Sequence, residues 1–205
     1  MTHIGHNEKV IVVRIFLSLL ILIFSFQSWT KADDIRDFEI EGISIGDSGL
    51  KIFSLKDLNN KSYLYKSKKY ASATKYASNS NYDVIQIEFK DDGNYIIESL
   101  IGRIEYYNDF DECKKLEKEI LIDLKKIFLE NSKYTNHGIT THQADPTGES
   151  IGSLHSFVMN DNSGWIMLEC MNWSQKLTKK NGWIDALKLT IVDREFGEWL
   201  NTSAY

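Results

Sequence analysis

The sequence predicts an α+β domain: a mainly antiparallel sheet of about five or six strands, with one long amphipathic helix packed on one face. Three observations carry this expectation. Short segments alternate apolar and polar residues at period two, tight-turn sequences join them, and one long stretch switches to helical spacing. Strands joined by tight turns pair antiparallel, and a helix with a single apolar stripe must bury it against something.

Residues Asp37–Gly46 (DFEIEGISIG) alternate and read as a short strand or extended lead-in. Asp47 and Ser48 then suit the cap of a short helix carrying Leu50, Phe53 and Leu58, which Gly49 weakens. The stretch 59–81 is rich in Ser, Lys, Asn and Tyr; it reads as a mobile connection with a short strand at Tyr63–Tyr65.

In Val84–Phe89, Ile85, Ile87 and Phe89 share a face, and Asp91-Asp92-Gly93 supplies a turn into a return strand, Tyr95–Tyr107. From Asp109 the period changes. Leu116, Ile120, Leu124, Ile127 and Phe128 recur at helical spacing, and Asp109 with Glu112 matches a capping box, so the helix is placed at 109–131. Residues 132–150 read as a loop whose Asp145-Pro146-Thr147-Gly148 has type I turn chemistry. Strands are expected at Ser153–Met159, Trp165–Asn172 and Ile184–Val192, the first two joined by Asn160–Gly164, with a short final helix at Phe196–Leu200.

Before this domain, Ile15–Phe24 form an apolar run preceded by Lys9 and Arg14 and followed by Thr30-Lys31-Ala32. A positive start, an apolar middle and small residues at the cut are the order of a signal peptide, so residues 1–32 are expected to be removed on export, leaving 33–205 as one domain. The rival is an uncleaved membrane anchor over residues 10–26. The expected compartment is the periplasm or the exterior.

Loss of residues 1–32 takes three basic and one acidic residue from the 24 and 29 of the whole chain, leaving a formal net charge of −7. An acidic domain without a basic stripe argues against nucleic acid and against anionic membrane surfaces. The expected partner is an envelope protein or a small ligand, with no cofactor, and contact with membrane only through an uncleaved leader. Cys113 and Cys170 form an even pair, which in an exported chain predicts a disulfide pinning the start of the helix to a strand.

Two weak motifs raise catalytic alternatives. Gly42-Ile43-Ser44-Ile45-Gly46 matches the nucleophile-elbow pattern, but alternation around Ser44 implies extended chain, and with Asp145 as the acid, which comes after His142, only His155 stands in the required order. His137, His142 and Asp145 gather in one predicted loop at a spacing that fits no strong metal signature, so they read as turn chemistry. An envelope hydrolase using Ser44 or the His137/His142 loop is therefore the rival to a non-enzymatic binding module, and no catalytic, cofactor or metal residue is assigned. Trp165, Trp173, Trp183 and Trp199 crowd the C-terminal part, where at least two are expected in the core and the others could line a binding surface.

The stretch Ala32-Asp33-Asp34-Ile35 with Asp37–Ser48 resembles a group of small exported bacterial proteins of uncharacterised function, a likeness extending through Cys113 and the Cys170–Trp173 strand end. The resemblance implies export and brings no activity. The Gly42–Ser48 stretch is also faintly similar to the start of small outer-membrane assembly modules.

Overall fold

In a computed structural model, which describes residues 34–77, 80–106, 109–142 and 145–204, the chain forms seven strands. They are β1 (Tyr70–Tyr76), β2 (Val84–Lys90), β3 (Ile97–Tyr106), β4 (Ser132–Thr141), β5 (Ile151–Met159), β6 (Gly164–Asn172) and β7 (Asp185–Asp193). Among the described residues the α-helices are α1 (Leu55–Asn59), α2 (Phe110–Phe128), α3 (Gln175–Asn181) and α4 (Arg194–Ser203). The leader expected at residues 1–32 lies outside the described residues. Among those described, no helix is long and apolar enough to cross a membrane.

All seven strands lie in one sheet of order β1-β2-β3-β7-β6-β5-β4, every neighbouring pair antiparallel. The first three strands meander from one edge to the centre. Helix α2 then carries the chain to the far edge, and the last four strands meander back until β7 closes against β3. The α+β class holds, but the sheet has seven strands rather than five or six.

The two strands that the sequence does not predict, β1 and β4, are the edges. β1 runs within the stretch read as a mobile connection, because its inward side chains are the small Ala71 and Ala73, which give little hydrophobic signal. β4 lies within the stretch read as a loop, since from Asn136 to Thr141 it is exposed and polar except for Ile139. Two further corrections are local. Residues 37–46 form no strand: Ile40 and Ile43 pair across a tight turn in which Glu41 (φ 53°) and Gly42 (φ 75°) are left-handed, and the three-residue turn Ile35–Asp37 is 3₁₀. Tyr63–Tyr65 is not a strand either; Ser62, just before it, pairs with Ser72 of β1.

Helix α2 follows the expected stripe. Leu124 and Phe128 are fully buried, and Leu116, Ile120 and Ile127 pack against the same core. Its N-terminus is fixed by Asp109, whose carboxylate accepts the Glu112 amide at 3.0 Å. Asp109→Ala leaves that amide unsatisfied and is expected to cost about 1 kcal/mol, read as a lower urea midpoint with unchanged slope. The stripe meets Ile166, Leu168, Leu187, Leu189 and Ile191 from the inner sides of β6 and β7. Cys113, in the first turn of α2, is bridged to Cys170 of β6 with Cα atoms 6.1 Å apart, as the cysteine pair predicts.

On the opposite face a second, smaller core gathers Tyr70, Val192, Phe196 and Trp199 with Trp165 and Met167 beneath α4. Gly197 sits mid-helix because the Trp165 ring lies directly on it; a Cβ there would fall 2.0 Å from that ring. Helix α4 and Tyr65 cover one end of this face, and among the described residues a cleft lies open on the remainder.

Candidate functional site

The open part of the second face is built by strand register. Directly paired residues form a row across the sheet: Tyr76 of β1, Val84 of β2, Arg103 of β3, Lys188 of β7 and Glu169 of β6. The neighbouring row runs Thr74, Gln86, Ile101, Thr190 and Met167. Because side chains alternate across a strand, both rows point away from α2.

A wall rises beside these rows where the chain leaves β6, makes α3 and returns to β7. Ser174 caps α3 by accepting the Leu177 amide, and Gly182 ends it in the left-handed conformation (φ 70°). Trp173 and Trp183 therefore flank the helix and meet, with ring centroids 4.4 Å apart. The Trp173 amide donates to Asp185 at 2.7 Å, which holds the turn. Between this wall and Tyr76 lies a cleft of about 350 Å³, with Val84, Ile101 and Ile184 as apolar floor and Gln86, Arg103 and Lys188 as polar groups. That volume lies in the range of small-molecule sites, which combine apolar lining with a few placed polar groups.

Both cations of the cleft have lateral partners. Arg103 Nη2 donates to Glu105 at 2.8 Å and Lys188 Nζ to Glu169 at 3.3 Å, while the Lys188 ammonium stands 5.9 Å from the Trp173 ring centroid. The Nε of Arg103 is buried without an acceptor among the described residues. Behind Gln86, whose amide reaches Glu88 at 3.5 Å, the Glu88 carboxyl is 4% exposed and is pushed up to about 7, chiefly by burial. On the far side of Trp173 a second hollow of about 240 Å³ is lined by Thr140, His142, Leu154, Glu169 and Met171 among others, and His142 packs edge-on to Trp173 at 4.6 Å.

The residues singled out in the sequence are dispersed. Ser44 donates through both its amide (3.0 Å) and its hydroxyl (3.3 Å) to Asp47, and Ile43 and Ile45 on either side are buried. Its hydroxyl is part of a turn and meets a carboxylate rather than an imidazole. His137, on β4, bonds Ser156 Oγ at 2.9 Å, and Asp145 binds the Thr147 and Ser150 hydroxyls and amides. Those bonds hold its carboxyl far below the usual range. No group of three or more potential ligands that could hold a metal ion occurs among the described residues. The four C-terminal tryptophans divide two and two: Trp199 on α4 and Trp165 beneath it belong to the second core, and Trp173 and Trp183 line the cleft.

One buried polar group was invisible in the sequence. Glu117, on the buried face of α2 and 1% exposed, accepts from Ser153 and Lys114, with His155 Nε2 at 3.7 Å; His155 Nδ1 lies 2.9 Å from the Tyr134 hydroxyl. Serine, histidine and carboxylate are together here, but the serine bonds the carboxylate, not the imidazole. All three are sealed between helix and sheet, so a nucleophile's path to substrate is missing. The arrangement satisfies buried groups and ties α2 to β5.

No family model matches the chain, and comparison with curated proteins and with solved structures gives no match. Function is therefore read from the cleft's own geometry and chemistry.

Proposed function

We propose that the protein is an exported, non-enzymatic module that binds a small ligand on the open face of its sheet. The observation that carries this reading is the cleft between Tyr76 and the Trp173–Trp183 wall, with Gln86, Arg103 and Lys188 standing among apolar groups. Half-buried aromatic rings held in place by a capped helix offer a rigid surface, and rigid walls lose little entropy on binding. Export is supported by the order of charged, apolar and small residues in 1–32 and by the buried Cys113–Cys170 bridge, which persists in oxidising compartments.

The test is thermal melting of residues 33–205 with L-phenylalanine, phenylacetate, D-glucose, N-acetylglucosamine and triglycine. A ligand at ten times its Kd adds about 1.4 kcal/mol, or about 3–6 °C for a domain of this size. At least one compound is expected to raise the midpoint by that amount in the wild type and not in Trp183→Ala. Trp183 is half-buried at the rim, so its removal leaves the core intact. A panel that shifts neither protein, or shifts both equally, overturns this reading.

A further inference from the structure

Resting on the cleft as a binding site, we propose that its ligand is a compact organic monocarboxylate carrying a planar or aromatic group. Two cations stand together in the cleft. Arg103 and Lys188 are direct cross-strand partners on one face, a placement in which like charges repel. Each is drawn sideways by a carboxylate that does not line the cleft, Glu105 and Glu169, so both present their remaining donors toward a shared space. Arg103 lines the cleft with its side chain 27% exposed while its Nε is buried, so the terminal guanidinium nitrogens are the donors that meet a ligand, and such planar N–H donors match the oxygens of a carboxylate.

The same two glutamates limit the charge the site accepts. Two cations and two carboxylates sum to zero, so an anion is held there by the remaining N–H donors rather than by net charge, and each further negative charge on it adds repulsion. A dianionic phosphate ester would meet Glu105 and Glu169 as uncompensated repulsion. The domain's net charge of −7 after loss of residues 1–32 adds to that penalty.

The walls supply the remaining chemistry. Trp173 and Trp183 meet at an interplanar angle of 49°, offering ring faces and edges to a planar group, and Val84, Ile101 and Ile184 form an apolar floor. Gln86 places one amide beside that floor, where it can donate to a carboxylate oxygen. A cleft of about 350 Å³ has room for one ring and a short acidic arm rather than for a folded partner.

Isothermal titration at pH 7.5 of phenylacetate, phenylacetamide and phenyl phosphate into residues 33–205 tests the inference. Phenylacetate is expected to bind at least tenfold tighter than its neutral amide and tighter than the phosphate ester. Arg103→Gln and Lys188→Gln are each expected to bring the acid-to-amide ratio below about threefold; the Lys188 variant carries the test alone should Arg103→Gln lose cooperative melting. Equal binding of acid and amide, preference for the phosphate, or no binding of phenylacetate overturns the monocarboxylate class. Trp183-dependent changes in melting with glucose or triglycine would then still support the binding site itself, and their absence would remove both.

Discussion

Replacing Cys113 and Cys170 together by alanine is expected to lower the stability of the domain by about 4 kcal/mol. The bridge spans 57 positions, so it removes a large loop-closure entropy from the unfolded chain. It also joins two elements that the topology brings together late. Helix α2 follows β3, whereas β6 enters the sheet only after the chain has crossed to the far edge and returned. Without the bond, the Asp109 cap, the Glu117 cluster and the apolar stripe still hold the start of α2. Both cysteines are at most 1% exposed, so reductant reaches the bond only after local opening. Urea unfolding of the oxidised wild type and the double variant measures the difference; a loss below about 1 kcal/mol would show that the native packing, not the cross-link, fixes the helix.

Glu88→Gln is expected to stabilise the protein by about 3 kcal/mol at pH 8 and to change little at pH 5. Burial raises the Glu88 carboxyl to about 7 from an ordinary 4.5, against the lowering effect of hydrogen bonds from Tyr65, Ser99 and Gln86. The folded state therefore holds the proton more tightly than the unfolded chain. Its contribution is complete below about pH 4.5 and is lost as pH rises through 7, each pH unit between those values weakening the fold by about 1.4 kcal/mol. Glutamine keeps the shape and cannot ionise.

His155 acts in the opposite direction. Burial lowers its pKa, so its stabilising contribution is present above about 6.5 and falls as pH drops below that value. Comparing Glu88→Gln with wild type at each pH cancels the contribution of His155. Destabilisation by more than about 1 kcal/mol at pH 8 would mean that ionised Glu88 is paired.

Strong periodicity was legible; weak edges and long-range register were not. Val84–Lys90, with three inward apolar residues, and the 110–128 stripe announce themselves, because each buries a face continuous in sequence. β1 and β4 do not, since an edge strand can be held by backbone pairing to one neighbour with alanines or threonines on its sides. Helix α3 was missed because only Leu177 is buried, which leaves no stripe to detect. Its caps Ser174 and Gly182 were a usable signal.

The candidate site was half legible. Crowding of tryptophans toward the C-terminus pointed to a surface, and the structure shows which two line the cleft. Arg103 and Lys188 come from strands distant in sequence, and nothing short of the β3–β7 register places them side by side. Ser44 drew notice by its glycine spacing, yet those glycines, at φ 75° and 87°, serve turns around two buried isoleucines.

The claim that the open sheet face is the binding surface is tested most directly by the indole N–H resonances of Trp165, Trp173, Trp183 and Trp199 during titration with phenylacetate. Trp173 and Trp183 line the cleft, and Trp165 and Trp199 lie in the core between α4 and the sheet. Saturable changes confined to Trp173 and Trp183 are the expected result. Movement of Trp165 and Trp199 with the other two unmoved would place the ligand elsewhere and contradict the account.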